Sequence, residues 1–293
     1  MTEGVHPAAA QGALLAWGDA QLRPLPWRAT RDPWAVLVSE LMAQQTGVDR
    51  VVPKWHAFLD RWPDPAACAA SPLGEVLELW AGLGYPRRAR NLHLAAGRIV
   101  ADHGGRLPDD LVALLALPGV GPYTARAVLA FAFERDVGVV DTNVGRVLAR
   151  WCGRRLAPRA AQELADACVP AGAGWAWNQS LMELGARVCR PRAPRCDECP
   201  LAPSCAWRAA GRPDPDPAVG SAGVSGRQAA FAGSDRQARG RLLAALVAGP
   251  VAPGAVAAGA GLSDDPDRAG RVGDSLVADG LEVRRPDGWL VRP

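Results

Sequence analysis

Four of the seven cysteines fall within 17 residues, at Cys189, Cys196, Cys199 and Cys205, with the spacing C-x6-C-x2-C-x5-C. No other feature of the chain restricts its local fold so strongly. Thiolates are soft ligands that suit zinc or an iron–sulfur cluster. Zinc sites usually pair two tight C-x2-C hooks; here there is one such hook with a longer arm on each side. The spacing therefore favours a loop wrapped around a larger, cubane-type cluster, with zinc as the alternative. Prolines at Pro191, Pro194, Pro200 and Pro203 keep the segment out of helix and leave it free to wrap. Cys68, Cys152 and Cys168 have no partner at ligand spacing and read as ordinary core residues. The N-terminus, MTEGVHPAAAQGALLAW, reads as no secretory signal, and no apolar run approaches the roughly 18 residues of a membrane span. The expected setting is the cytoplasm, where disulfides are rare and metal ligation explains clustered cysteines better.

Upstream of the cysteines the pattern is helix after helix. Apolar residues recur at helical spacing over 36–42, 76–83, 92–100, 111–117, 125–133 and 144–151. Asp32-Pro33, Ser71-Pro72, Gly104-Gly105 and Pro108-Asp109-Asp110 punctuate them as starts and stops. Strand-like alternation is nearly absent, so the region is expected to be all-α. Residues 209–234, rich in Pro, Gly, Ala and Ser, read as a linker. Beyond it, helices are expected over 236–247, 254–260 and 266–279, then a hairpin around Asp287-Gly288. That order suggests a small winged-helix-like module over 235–293.

The net charge of +3 does not by itself announce a nucleic-acid binder. The distribution is more informative: Lys54 is the only lysine, and arginines cluster at Arg87, Arg88 and Arg90, at Arg154 and Arg155, and at Arg190, Arg192 and Arg195. Residues 114–125, LLALPGVGPYTA, place a turn between two helical runs. Gly119 and Gly121 are expected to permit the tight turn and to leave backbone N–H groups bare. The helix that follows would offer its N-terminus to an anion such as a DNA phosphate. About 20 residues on, VVDTNV puts Asp141 at the start of another helix, where it serves as an N-cap and is expected to stay ionised.

Hairpin, Asp141 and cysteine cluster, in this order, resemble the helix-hairpin-helix DNA glycosylases that include endonuclease III. Within that superfamily the adenine DNA glycosylases, the MutY family, are resembled by LPWR at 25–28, SELMAQQT at 39–46, LWAGLGY at 79–85, RARNLH at 88–93 and NQSLMELG at 178–185. The likeness covers roughly residues 10–208. It implies a [4Fe-4S] cluster on the four cysteines, in a loop over 189–205. It also implies a glycosylase region over 1–208 built of two helical subdomains, about 29–135 and 1–28 with 136–208. Glu40 matches the acid that protonates a ring nitrogen of adenine. Asp141 matches the carboxylate that stabilises the sugar cation, Tyr123 a hairpin tyrosine supporting it, and Asn143 a residue near the reacting sugar. Arg23, Trp27, Arg28 and Gln179 match positions lining the pocket for the flipped base. Gln45, Thr46, Leu83 and Tyr85 match residues that fill or flank the gap left in the duplex. The expected partner is double-stranded DNA holding a mismatch, and the expected enzyme a bacterial, nucleoid-associated monomer with no membrane attachment.

Such chemistry needs two carboxyls in opposed surroundings: a protonated acid for the leaving base and an ionised group for an oxocarbenium-like centre. Glu40 is expected to find its dry pocket among Leu41, Met42 and Trp27. The position of Tyr123 is a Schiff-base lysine in bifunctional relatives, and a Schiff base needs an amine. The lone, remote Lys54 therefore favours hydrolysis alone. The chain departs from the family at Pro86-Arg87-Arg88, where Tyr-Ser-Arg is frequent, at Ala43 and at Thr142. A larger departure follows the linker: many family members carry a C-terminal domain there that reads 8-oxoguanine, and the about 59 residues here show no matching signature. The alternatives are a thymine or uracil mismatch glycosylase of the same fold, an endonuclease III-like repair enzyme, and a non-catalytic iron–sulfur DNA-binding protein.

Overall fold

In the computed structural model, residues 7–222 and 230–293 are described, with the backbone alone for residues 7 and 8. The first six residues, and the 223–229 part of the stretch read as a linker, lie outside them. The helices run in chain order α1 (Pro7–Gln21), α2 (Pro33–Ala43), α3 (Val48–Arg61), α4 (Pro65–Ala70), α5 (Leu73–Trp80) and α6 (Arg87–His103). Next come α7 (Leu111–Leu115), α8 (Pro122–Phe131), α9 (Thr142–Trp151), α10 (Pro158–Cys168), α11 (Gly174–Arg187) and the short α12 (Ala206–Ala209). The C-terminal part holds α13 (Asp235–Ala248), α14 (Val256–Ala260), α15 (Pro266–Ala278) and strands β1 (Val283–Arg284) and β2 (Leu290–Val291). The region upstream of 209 is all-helical among the described residues, as its periodicity requires. Three runs extend past the helices: α7 and α8 end two residues before the apolar spacing does, and α5 stops at Trp80 rather than Leu83, where Gly82 and Gly84 take φ of 92° and 74°.

The chain divides into two compact units. The first comprises 1–36, 109–111 and 121–227, the second 37–108, 112–120 and 228–293. In the first, α1 and α9 pack on α11 around Leu14, Leu148, Trp151, Trp177, Leu181 and Leu184, all buried. Trp151 and Trp177 lie 6.5 Å apart at a tilt of 50°. Removing one such indole is expected to cost about 3–5 kcal/mol. Residues 213–222 are anchored to this unit. Asp216 pairs with Arg150, and the Ala222 amide donates to the Leu156 carbonyl at 2.8 Å.

In the second unit, α3 turns Val51, Trp55 and Phe58 inward at helical spacing, followed by Trp62, whose indole donates to Ser71 Oγ at 2.7 Å. Leu92, Ala95, Ala96 and Ile99 of α6 complete that core. The C-terminal helices are capped by Ser234 and Asp265, whose side chains accept from the Gln237 and Arg268 amides. β1 and β2 pair antiparallel, Val283 opposite Val291 and Arg284 opposite Leu290, and Leu290 also bridges Val251.

Candidate active site and cysteine loop

In the first unit Asp141 caps α9, as its position predicts. Oδ1 accepts from the Val144 amide at 2.7 Å and Oδ2 from Asn143 Nδ2 at 3.0 Å. Burial nevertheless pushes its carboxyl above its ordinary value, against the opposing pull of these donors and of Arg146. The helix start alone thus does not set its charge, contrary to the simpler expectation. Asn143 Oδ1 in turn accepts from Arg146 at 2.9 Å, and Arg146 Nε donates to the Cys189 carbonyl at 2.7 Å. Asp141, Asn143, Arg146 and the first cysteine of the loop therefore form one hydrogen-bonded chain. It depends on Gly185, where an added Cβ would lie 2.7 Å from that of Asn143.

A second cluster in this unit gathers the residues expected at the base pocket. Arg28 donates to Gln179 Oε1 at 2.8 Å, to Glu183 at 2.9 Å and to the Arg23 carbonyl at 2.9 Å. Arg23 holds the same Glu183 carboxylate at 2.6 and 3.2 Å. Glu183 has a side-chain exposure of 0% and organises the whole group, yet sequence reasoning passed over it. The available signal was its place four residues after Gln179, on the same face of α11. Burial lowers the Arg28 guanidinium from its usual value, with Glu183 opposing. Trp27 is half-buried in the short turn Pro26–Arg28, and Tyr123 half-buried in the first turn of α8.

In the second unit Glu40, 8% exposed, follows Ser39 and precedes Leu41 and Met42, which are themselves buried. Just beyond it two loops are tied by one side chain that sequence reasoning left outside the site. Arg88 Nη1 donates to the carbonyls of Leu41, Met42 and Gln44 at 2.6–2.9 Å. Its Nη2 donates to Thr46 Oγ1 at 3.0 Å and to the carbonyls of Leu83 and Gly84 at 3.1 and 2.9 Å. Thr46 Oγ1 also donates to the Leu83 carbonyl at 3.0 Å. Gln45 and Tyr85, on these loops, have φ of 55° and 48°, conformations that side-chain-bearing residues seldom adopt. Leu83 is only 3% exposed.

At the 117–121 turn the two glycines differ. Gly119 has φ 78°, and a Cβ there would meet that of Asn91 at 2.7 Å. Gly121 has φ −92°, open to any residue, so the tight turn does not require it; a Cβ there would meet nothing within 4 Å.

The four clustered cysteines line one pocket together with Arg150 and Trp207. Arg150 Nη1 lies 3.5 Å from Cys189 Sγ and donates to the Arg190 carbonyl at 2.7 Å. Cys205 Sγ lies 3.3 Å from the Arg150 carbonyl oxygen. Burial pushes the Cys199 thiol up to about 12, and the other three sulfurs add to the rise. Four soft thiols lining one pocket form a donor set whose chemistry suits a metal cluster. No three His, Cys, Asp or Glu side chains among the described residues converge as they would on a lone metal ion. Burial pushes the isolated Cys68 and Cys168 up to about 12 and about 11, which suits inert core thiols. No helix among the described residues is long and apolar enough to cross a membrane.

Residues 38–170 match the model of the HhH-GPD superfamily base excision DNA repair proteins. An adenine DNA glycosylase of Mycobacterium tuberculosis is 46% identical over 96% of this chain and 92% of its own length. The chain belongs to the adenine DNA glycosylase family within that superfamily. Among solved structures, a thermostable thymine-DNA glycosylase superposes with a TM-score of 0.65 at 32% identity, over 68% of this chain and 94% of that one. An endonuclease III in a non-covalent DNA complex gives 0.60 at 23% identity, over 71% of this chain and all of its own, which places the fold.

Proposed function

We propose that the chain excises adenine mispaired with guanine or 8-oxoguanine in double-stranded DNA, by hydrolysis of the N-glycosidic bond without strand cleavage. One observation carries this reading: two carboxyls in contrasting surroundings. Glu40 is 8% exposed, next to the buried Leu41 and Met42 in the chain, and Asp141 caps α9, accepting from Val144 and Asn143. Glu40 is the acid that gives its proton to the departing adenine, and Asp141, as the carboxylate, stabilises the sugar cation until water adds. Tyr123 and Asn143 support that centre. The base must leave the stack to reach these groups. Arg23, Trp27, Arg28 and Gln179 receive it, while Gln45, Thr46, Leu83 and Tyr85 occupy or border the space it vacates. Gly119 and Gly121 leave the hairpin backbone accessible to a phosphate.

The single lysine, Lys54, supports hydrolysis alone. Cys189, Cys196, Cys199 and Cys205 would hold a [4Fe-4S] cluster, which when bound cross-links the 189–205 loop. The enzyme acts as a monomer in the bacterial cytoplasm, at the nucleoid, with the 235–293 module a winged-helix-like addition. The likeness to a thymine-DNA glycosylase favours one rival, excision of thymine from G·T. Parallel assays on 8-oxoguanine·A, G·A, G·T and G·U duplexes, with and without alkali, decide between them. Adenine release that leaves alkali-labile but unbroken strands is expected; thymine release from G·T would overturn the assignment.

A further inference from the structure

Tyr85 is held from several directions, and one hold comes from the C-terminal part of the chain. The carbonyls of the two residues before it accept from Arg88, whose guanidinium also sits 5.4 Å from the Tyr85 ring centroid. The phenol oxygen accepts from Arg236 Nη1 at 3.0 Å. Arg236 stands in the first turn of α13, two residues after the cap Ser234, with its guanidinium 5.9 Å from the Phe231 ring centroid. The same C-terminal segment is fastened nearby: Arg292 pairs with Glu78 of α5 at 2.7 Å, and Asp279 with Arg87 of α6 at 3.6 Å. Between these fastenings the seam is not filled. A half-open cavity of about 120 Å³ lies between Leu77, Trp80 and Gly84 on one side and Leu243 and Val247 on the other. Beside this cavity, donors from Arg88 and Arg236 help hold the loop that carries Tyr85.

We propose that the C-terminal module is a specificity element, in which Arg236 is a positioning residue holding the Tyr85 ring at the angle from which it meets the base left unpaired when adenine is extruded. This rests on the reading of Tyr85 as a residue bordering the gap. A ring free to swing must be ordered on every duplex alike, which lowers affinity without choosing among them. A ring held at one angle offers a fixed face and edge, so unpaired bases of different size and polarity gain different amounts from it. The Arg236 contact is charge-assisted, strong enough to fix a phenol at the surface of a loop.

The test uses the full chain and single-turnover adenine release from 8-oxoguanine·A, G·A and C·A duplexes. Arg236→Ala should reduce the ratio of 8-oxoguanine·A to C·A rates by about tenfold, the scale of one charge-assisted hydrogen bond. Tyr85→Phe should do the same, and the double variant no more than either alone. Arg236→Lys should recover part of the ratio, and thermal melting should stay that of the parent. A duplex carrying 2-aminopurine opposite adenine adds a readout that needs no chemistry. Its fluorescence should change on binding the parent, and change less with either single variant. An unaltered ratio in Arg236→Ala, an equal slowing on all three duplexes, or strictly additive effects with Tyr85→Phe would overturn the proposal. Failure of the parent to release adenine from any duplex would instead remove the glycosylase reading, and the 2-aminopurine signal would still decide this one.

Discussion

Networks in the two units show two different ways of holding polar groups. In the first, side chains bond to side chains: Asp141, Asn143 and Arg146 form one chain, and Arg23, Arg28, Gln179 and Glu183 another. In the second, a single arginine binds mostly backbone, with Arg88 reaching five carbonyls and one hydroxyl on two loops. Networks of the first kind govern charge, because each member alters its neighbour's proton affinity. The second kind governs shape, because carbonyls do not titrate and the loops they belong to contain strained residues at Gln45 and Tyr85.

The largest expected effect concerns chemistry. Glu40→Gln and Asp141→Asn should each slow adenine release by about 10²–10⁴-fold, while gel-shift affinity for duplex changes little. Equal losses of binding and turnover would mean that the two carboxyls support the fold rather than the chemistry. Next in size, Glu183→Ala leaves two guanidiniums without their buried carboxylate and should cost about 3–5 kcal/mol in urea unfolding. Arg88→Met removes the six-acceptor tie and should cost less, about 1–3 kcal/mol, because it leaves neutral acceptors rather than buried charges without a partner. Its clearer signature should be weaker duplex distortion, read by 2-aminopurine fluorescence. If Arg88→Met proved the costlier of the two, the backbone tie would be the main support of the site.

Asp141→Asn gives a smaller and signed effect on stability. A carboxyl raised on folding binds its proton more tightly in the folded state, so folding is penalised at pH above that raised value and the penalty fades as pH falls through it. Asparagine caps a helix as well as aspartate. The variant should therefore melt higher than the parent at neutral pH, with the gap closing in acid; a lower melting point at neutral pH would contradict the burial argument. For the cysteine loop, Cys199→Ser should bleach the visible absorption of purified protein and expose 189–205 to protease. Asp216→Asn, which loosens Arg150 beside Cys189, should speed bleaching by chelator without preventing assembly. A colourless, zinc-replete parent would replace the iron–sulfur assignment with zinc.

Much of the fold and part of the candidate site were legible along the chain for a common reason. Helical periodicity and the Asp141 cap involve neighbours three or four positions apart. The end of α5 was misjudged because apolar spacing continued past Trp80 while the backbone turned at Gly82 and Gly84. Glu183 was passed over because a lone glutamate in a helix looks like any solvated one until Arg23 and Arg28 arrive from 155 to 160 positions away.

What the sequence determined by itself was chemical identity and local spacing: four thiols in a proline-rich loop, a capping carboxylate, a single lysine, and helices read from periodicity. Those are set by covalent connectivity and by contacts within one turn. The tertiary structure alone decided that burial raises Asp141, that Glu183 unites the basic pocket residues, and that Arg88 ties two loops. It also decided that Arg236, 151 positions distant, reaches the phenol of Tyr85. Burial and long-range partners depend on which surfaces the folded chain brings together, and no window of neighbouring residues encodes that.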